Sequence, residues 1–134
     1  MKGDDRSHAL ETILQRLCLV VEQVKCCVVV SEDGLPVASY PFAADGDIPG
    51  QKIESAELAA LAASLSGAGE RTMHRLAQGK PGRLVLEGEA GTMLSFPVGE
   101  VSLALLVDSD ANLAQVLFAA QKAAEDIESV LSPV

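Results

Sequence analysis

Between Arg83 and Val107 the chain passes through three apolar segments whose links are only three or four residues long. The segments are Arg83–Glu87, Thr92–Pro97 and Val101–Val107, joined by Gly88-Glu89-Ala90-Gly91 and Val98-Gly99-Glu100. Parallel strands need a crossover of about a dozen residues, whereas links this short close hairpins. Residues 83–107 must therefore form an antiparallel meander, and the rest of the chain has to pack around it. Val101-Ser102-Leu103-Ala104-Leu105-Leu106-Val107 is apolar almost throughout and belongs at the centre of a sheet. Arg83-Leu84-Val85-Leu86-Glu87 carries a charge at each end and reads as an edge.

Upstream, Leu10, Ile13, Leu14, Leu17, Val20, Val21 and Val24 recur at helical spacing, with Glu11, Gln15, Glu22 and Gln23 on the other face. A helix from Ser7 to about Val24 is expected, capped by Ser7 or an upstream Asp, after a flexible polar lead-in over residues 1–6. Cys26-Cys27-Val28-Val29-Val30 is short and β-branched, a strand buried on both faces. Asp33-Gly34 then turns the chain into a second strand, Leu35–Tyr40, which Pro36 marks as an edge.

Residues 41–52, with Pro41, Gly46, Pro49 and Gly50, form a loop. A proline-free helix over Glu54–Gln78 follows, with Leu58, Leu61, Ala62, Leu65, Met73 and Leu76 as its apolar stripe. Ala59, Ala63 and Gly67 make a small-residue row on a neighbouring face, suited to close approach of another helix. Gly79-Lys80-Pro81-Gly82 stops that helix. The last helix starts at Asn112, whose capping box is completed by Gln115. It buries Leu113, Val116, Leu117, Ala120, Ala124, Ile127 and Leu131, and pairs Lys122 with Asp126 outside. The order α-β-β-α-β-β-β-α defines one domain over residues 7–131, with 132–134 as its C-terminal end. Five mostly antiparallel strands lie between helical layers.

Composition narrows the function. The formal net charge is −9, and aromatics are 3% of the 134 residues. An acidic, aromatic-poor chain lacks both the cations for phosphates and the platforms for stacked bases, so nucleic-acid binding is excluded. No apolar run approaches the roughly 18 residues of a membrane helix, and a cytoplasmic location is expected. Cys18, Cys26 and Cys27 are odd in number and contain no C-x-x-C, which favours buried thiols over a disulfide framework or a zinc site.

Catalytic and cofactor motifs are near misses at most. Gly79-Lys80 is followed by Pro81, and no glycine stands five positions before it, so it is no phosphate loop. Gly67-Ala68-Gly69 lies inside a helix rather than after a strand. Asp45-Gly46-Asp47-Ile48-Pro49-Gly50 opens like a calcium loop, but Pro49 and Ala56 stand where oxygen donors are needed. His8 and His74, the two imidazoles, have nothing in the sequence to bring them together. No catalytic residue, metal or cofactor is expected. One basic cluster, Arg71, Arg75, Lys80 and Arg83, interrupts the acidic background and suits either a helix C-terminus or an acidic partner.

Several strings, in order and at matching separations, resemble one family. Val28-Val29-Val30-Ser31-Glu32-Asp33-Gly34-Leu35-Pro36-Val37-Ala38-Ser39 is similar to the first hairpin of Roadblock/dynein-light-chain-type domains, including MglB-like members. Glu57-Leu58-Ala59-Ala60-Leu61-Ala62-Ala63-Ser64-Leu65 resembles their alanine-rich second helix. Asp110-Ala111-Asn112-Leu113 resembles the approach to their last helix. The resemblance implies a profilin-like or longin-like three-layer α/β/α sandwich with strand order 2-1-5-4-3. Helices one and three would lie on one face of the sheet and helix two on the other. It also implies a homodimer, or a heterodimer with a paralogous Roadblock-type protein, in which third strands pair edge to edge and second helices pack side by side. Ala59, Ala63, Gly67, Arg83, Val85 and Glu87 are then the expected interface. The implied partner is a small Ras-like GTPase of the MglA type, docked around helix two at Glu57, Ala60, Ser64, Arg71 and Arg75. A structural adaptor without effect on nucleotide state is the alternative reading, and a small-molecule sensor on the same scaffold is a second.

Overall fold

The computed structural model describes residues 2–41 and 54–132. The elements are α1 (Lys2–Val20), β1 (Val24–Val30), β2 (Pro36–Tyr40), α2 (Ser55–Arg75), β3 (Leu84–Glu87), β4 (Gly91–Val98), β5 (Val101–Asp108) and α3 (Leu113–Leu131). They form a five-stranded sheet in the order β2-β1-β5-β4-β3, with every neighbouring pair antiparallel. The expected layers are all present: α1 and α3 pack on one face, α2 on the other.

The apolar run in β1 shows why the sandwich needs both layers. Cys27 and Val29 enter the core under α1 and α3, while Cys26, Val28 and Val30 enter the core under α2. Successive side chains point to opposite faces, so a strand covered on both sides has no polar position to offer. β5 behaves in the same way, with Leu103, Leu105 and Val107 on the first face and Ala104 on the second.

Several boundaries differ from expectation, and local geometry accompanies the largest shifts. α1 already includes residues 2–6. Asp5 in its first turn is favoured by the helix dipole, and Ser7 lies inside the helix, where it caps nothing. α1 ends at Val20, after which a tight turn (Val24 N–H to Val21 C=O, 3.1 Å) releases Val24 to pair with Val107. α2 stops before the glycines at 79–82: Gln78 N–H bonds Met73 C=O (2.9 Å) and Ala77 N–H bonds His74 C=O (3.0 Å), with Ala77 at φ 59°. That pairing is a Schellman stop, in which the left-handed position usually belongs to glycine. β4 starts at Gly91 rather than Thr92. A Cβ at Gly91 would lie 2.5 Å from the Val107 carbonyl oxygen, so no side chain fits there.

The turns follow their residues. Gly34 (φ 81°) closes the β1–β2 hairpin, with Gly34 N–H to Ser31 C=O at 3.0 Å and Ser31 N–H to Leu35 C=O at 2.8 Å. Gly99 (φ 62°) opens the two-residue link that pairs Val98 with Val101, the position where a type II′ turn takes glycine. Asn112 caps α3 by accepting from Gln115 N–H at 3.1 Å, and Lys122 reaches Asp126 at 3.2 Å. Most of the 41–52 loop, including the acidic string Asp45–Gly50, lies outside the described residues.

Candidate interaction surface

α2 decides what this molecule presents to others, because it is narrower than the sheet it covers. It lies across β1, β2 and β5. Only Leu58, Ala59 and Ala62 of α2 are buried, so the small residues let the helix sit close to its own sheet. The expected stripe is corrected accordingly: Leu61 is 52% exposed, Leu65 37% and Leu76 61%.

Of the expected interface row, Ala59 is fully buried within this chain against Val28 and its neighbours. Ala63 packs on the β1–β2 turn, where a Cβ at Gly34 would stand 3.2 Å from its own Cβ. Gly67 is half-buried, with the Arg71 guanidinium 3.4 Å from the position its Cβ would take. The alanine flank of α2 thus faces the β2 side of the sheet, away from β3.

The opposite flank faces open sheet. Leu65, Gly69 and Met73 of α2 form one wall of a groove of about 510 Å³ whose other walls are Leu84, Ser95 and Pro97. Ser95, 2% exposed, meets the Ser66 hydroxyl at 3.0 Å on the groove floor. Leu61, one turn before Leu65, continues the apolar wall.

Beyond the groove lies β3, paired with β4 on one side only, with Val85 36% and Leu86 52% exposed. Leu86 and Leu84 sit opposite Met93 and Ser95, on the same face as α2. Val85 opposes Leu94 and turns to the other face. Arg83 precedes the strand and stands at the groove mouth, and Glu87 ends it. An apolar helix flank, a half-covered sheet and an unpaired edge are therefore continuous. Soluble monomers seldom leave such a patch open.

The remaining expected residues lie along the outer face of α2. Glu57, Ala60, Ser64, Arg71 and Arg75 are exposed and fall on one solvent-facing side, as their spacing requires. Arg71, Arg75, Lys80 and Arg83 take no part in the two ion pairs among the described residues, Lys25–Asp108 and Lys122–Asp126. Arg83 lines the groove together with Glu70, and Arg71, Arg75 and Lys80 are exposed towards the end of α2. On the far layer, Leu19, Val20 and Phe118 are exposed on α1 and α3; Phe118 reaches 81%. The sequence reading missed this second apolar spot, because Val20 fits the buried stripe of α1 by spacing alone. His8 and His74 are both exposed. Among the described residues no three His, Cys, Asp or Glu side chains converge as metal ligands. No helix among them is long and apolar enough to cross a membrane.

Five antiparallel strands in this order, with one helix on one face and two on the other, form a fold shared with known solved structures. The Roadblock/LC7 domain model matches residues 10–108, and the chain belongs to that family. Among solved structures it is similar to a Roadblock/LC7 domain from Streptomyces avermitilis, with a TM-score of 0.79 at 20% identity over 90% of this chain and 96% of that one. Myxococcus xanthus MglB gives a TM-score of 0.78 at 20% identity, covering 90% and 93%. Profilin IA of Acanthamoeba castellanii shares the fold more distantly, with a TM-score of 0.57 at 12% identity over 89% and 96%. No curated protein sequence matches significantly.

Proposed function

We propose that the chain acts as a homodimer that binds a small Ras-like GTPase of the MglA type and modulates its nucleotide cycle, with no active site of its own. Membership of the Roadblock/LC7 family and likeness to MglB structures support a small-GTPase regulator. The observation that carries the reading is the continuous open surface from Leu61 and Leu65 across the groove to β3. Two copies meeting there would pair their β3 edges and bury the leucine flanks of both α2 helices. The outer faces of the two helices, with Glu57, Ala60, Ser64, Arg71 and Arg75, would then form one platform for the GTPase. Effects on hydrolysis or exchange would come from ordering the partner's switch segments. An arginine from this chain need not enter the partner's site.

The test is a pull-down with a Ras-like GTPase encoded in the same genome, loaded with GTP or GDP, followed by a turnover assay. Retention of the GTP form with altered hydrolysis or exchange supports the reading. Retention with unchanged turnover moves the chain to the adaptor class, and no retention of either form contradicts both. The groove also favours a second reading, the small-molecule sensor. Ser66 and Ser95 satisfy each other there, however, which leaves few polar groups to orient a ligand.

A further inference from the structure

Cys18, near the C-terminus of α1, and Cys27, in β1, hold their sulfurs 3.6 Å apart. Both also point at the Tyr40 carbonyl, Cys27 at 3.6 Å and Cys18 at 4.0 Å. Cys26 belongs to the core under α2, on the other face of the sheet, and is separated from the pair by the strand itself. The two sulfurs differ in access: Cys18 is partly exposed, Cys27 fully buried. They differ in acidity as well. The hydrogen bond between the two sulfurs, in which either can donate, draws the Cys18 thiol below its ordinary value. The same contact, with burial, holds Cys27 protonated well above it. The thiolate is the reactive form of cysteine, so the accessible sulfur is the nucleophile and the buried one stands behind it.

We propose that Cys18 and Cys27 are a redox modification site, at which a peroxide oxidises Cys18 and Cys27 then closes an intramolecular disulfide tying α1 to β1. In the first step the Cys18 thiolate attacks one peroxide oxygen and the O–O bond breaks. The departing hydroxide takes up the proton shed by Cys18, leaving water and a sulfenic acid. In the second step the Cys27 sulfur attacks the Cys18 sulfur, the S–O bond breaks, and hydroxide leaves with the Cys27 proton as water. Two thiols lose two electrons and two protons, and hydrogen peroxide is reduced to two waters. Closing the sulfurs to about 2.05 Å needs an approach of about 1.5 Å, at the end of a helix whose next two residues, Leu19 and Val20, are exposed. The bond takes away the thiol hydrogens that lie within reach of the Tyr40 carbonyl. Oxidation is therefore felt at the end of β2, where the chain leaves the sheet towards α2.

The experiment is mass spectrometry of the folded wild-type chain after hydrogen peroxide at neutral pH. The intact mass should fall by about 2 Da, and thiols titrated in denaturant should drop from three to one. Dithiothreitol should reverse both changes. Cleavage after Arg16 and Lys25 puts Cys18 and Cys27 on separate peptides, so their link appears as a cross-linked pair in the non-reduced map. Fragmentation between Cys26 and Cys27 assigns the partner sulfur in the wild type, without relying on any variant. C26S should keep the link, while C18S and C27S should each lose it. Oxygen added to Cys18 without a cross-link, a link through Cys26, or a disulfide joining two chains would overturn the proposal.

Discussion

Ala77 is where the backbone asks for a residue that the sequence does not supply. Its φ of 59° closes α2, and an L-residue with a Cβ is strained in that region. Ala77→Gly should raise stability by about 0.5–1 kcal/mol, after the extra freedom that glycine brings to the unfolded chain. A shift of the urea midpoint to higher concentration at unchanged slope would show it. Cys26 sets a different limit. Burial pushes its thiol from 9.0 up to about 12. The folded state therefore keeps a proton that the unfolded chain releases above pH 9, and stability is full below that value. It falls as pH rises from 9 towards 12, by up to about 1.4 kcal/mol per pH unit for this group. Urea titrations at pH 8 and 10 should show the loss, and Cys26→Val should reduce it. The burial of Cys26 was legible in its apolar strand, but the stop at Ala77 was not, because a helix stop that lacks glycine leaves no residue signal. The Cys18–Cys27 contact was hidden too, because it joins residues that no motif connects.

At the scale of elements, every helix and strand was legible from periodicity, and so was the central place of β5. The orientation of α2 was not. Its apolar positions are too many for one stripe, and a leucine row beside an alanine row can turn either way. The width of the sheet decides: only Leu58, Ala59 and Ala62 find a floor beneath them, and alanine lets the helix approach closely. Leu58 and Ala62 keep the buried place their spacing implied, Ala59 joins them, and Leu61 and Leu65 become the residues with surface left to bury. Burying a leucine side chain contributes about 1.5–3 kcal/mol. Leu61→Glu or Leu65→Glu should therefore weaken self-association at least tenfold, about 1.4 kcal/mol, and leave the fold intact. Equilibrium sedimentation alongside circular dichroism separates these effects. Unchanged association would move the interface away from this flank.

At the scale of the molecule, a chain of net charge −9 gathers exposed cations, Arg71, Arg75, Lys80 and Arg83, between the end of α2 and the start of β3, and Arg83 lines the apolar groove. The acidic composition argues against nucleic acids as partners but says nothing of where the cations gather. That depends on how α2 ends and β3 begins. A second copy over the groove would bring both sets of cations to one side of a two-helix platform, and the functional unit would be two chains rather than one. The most direct measurement is sedimentation velocity of the chain at micromolar concentration, alone and with the GTP-loaded Ras-like GTPase. The account predicts a dimer that shifts to a larger species containing two copies of this chain together with the GTPase. A monomer that sediments unchanged when the GTPase is added would contradict it.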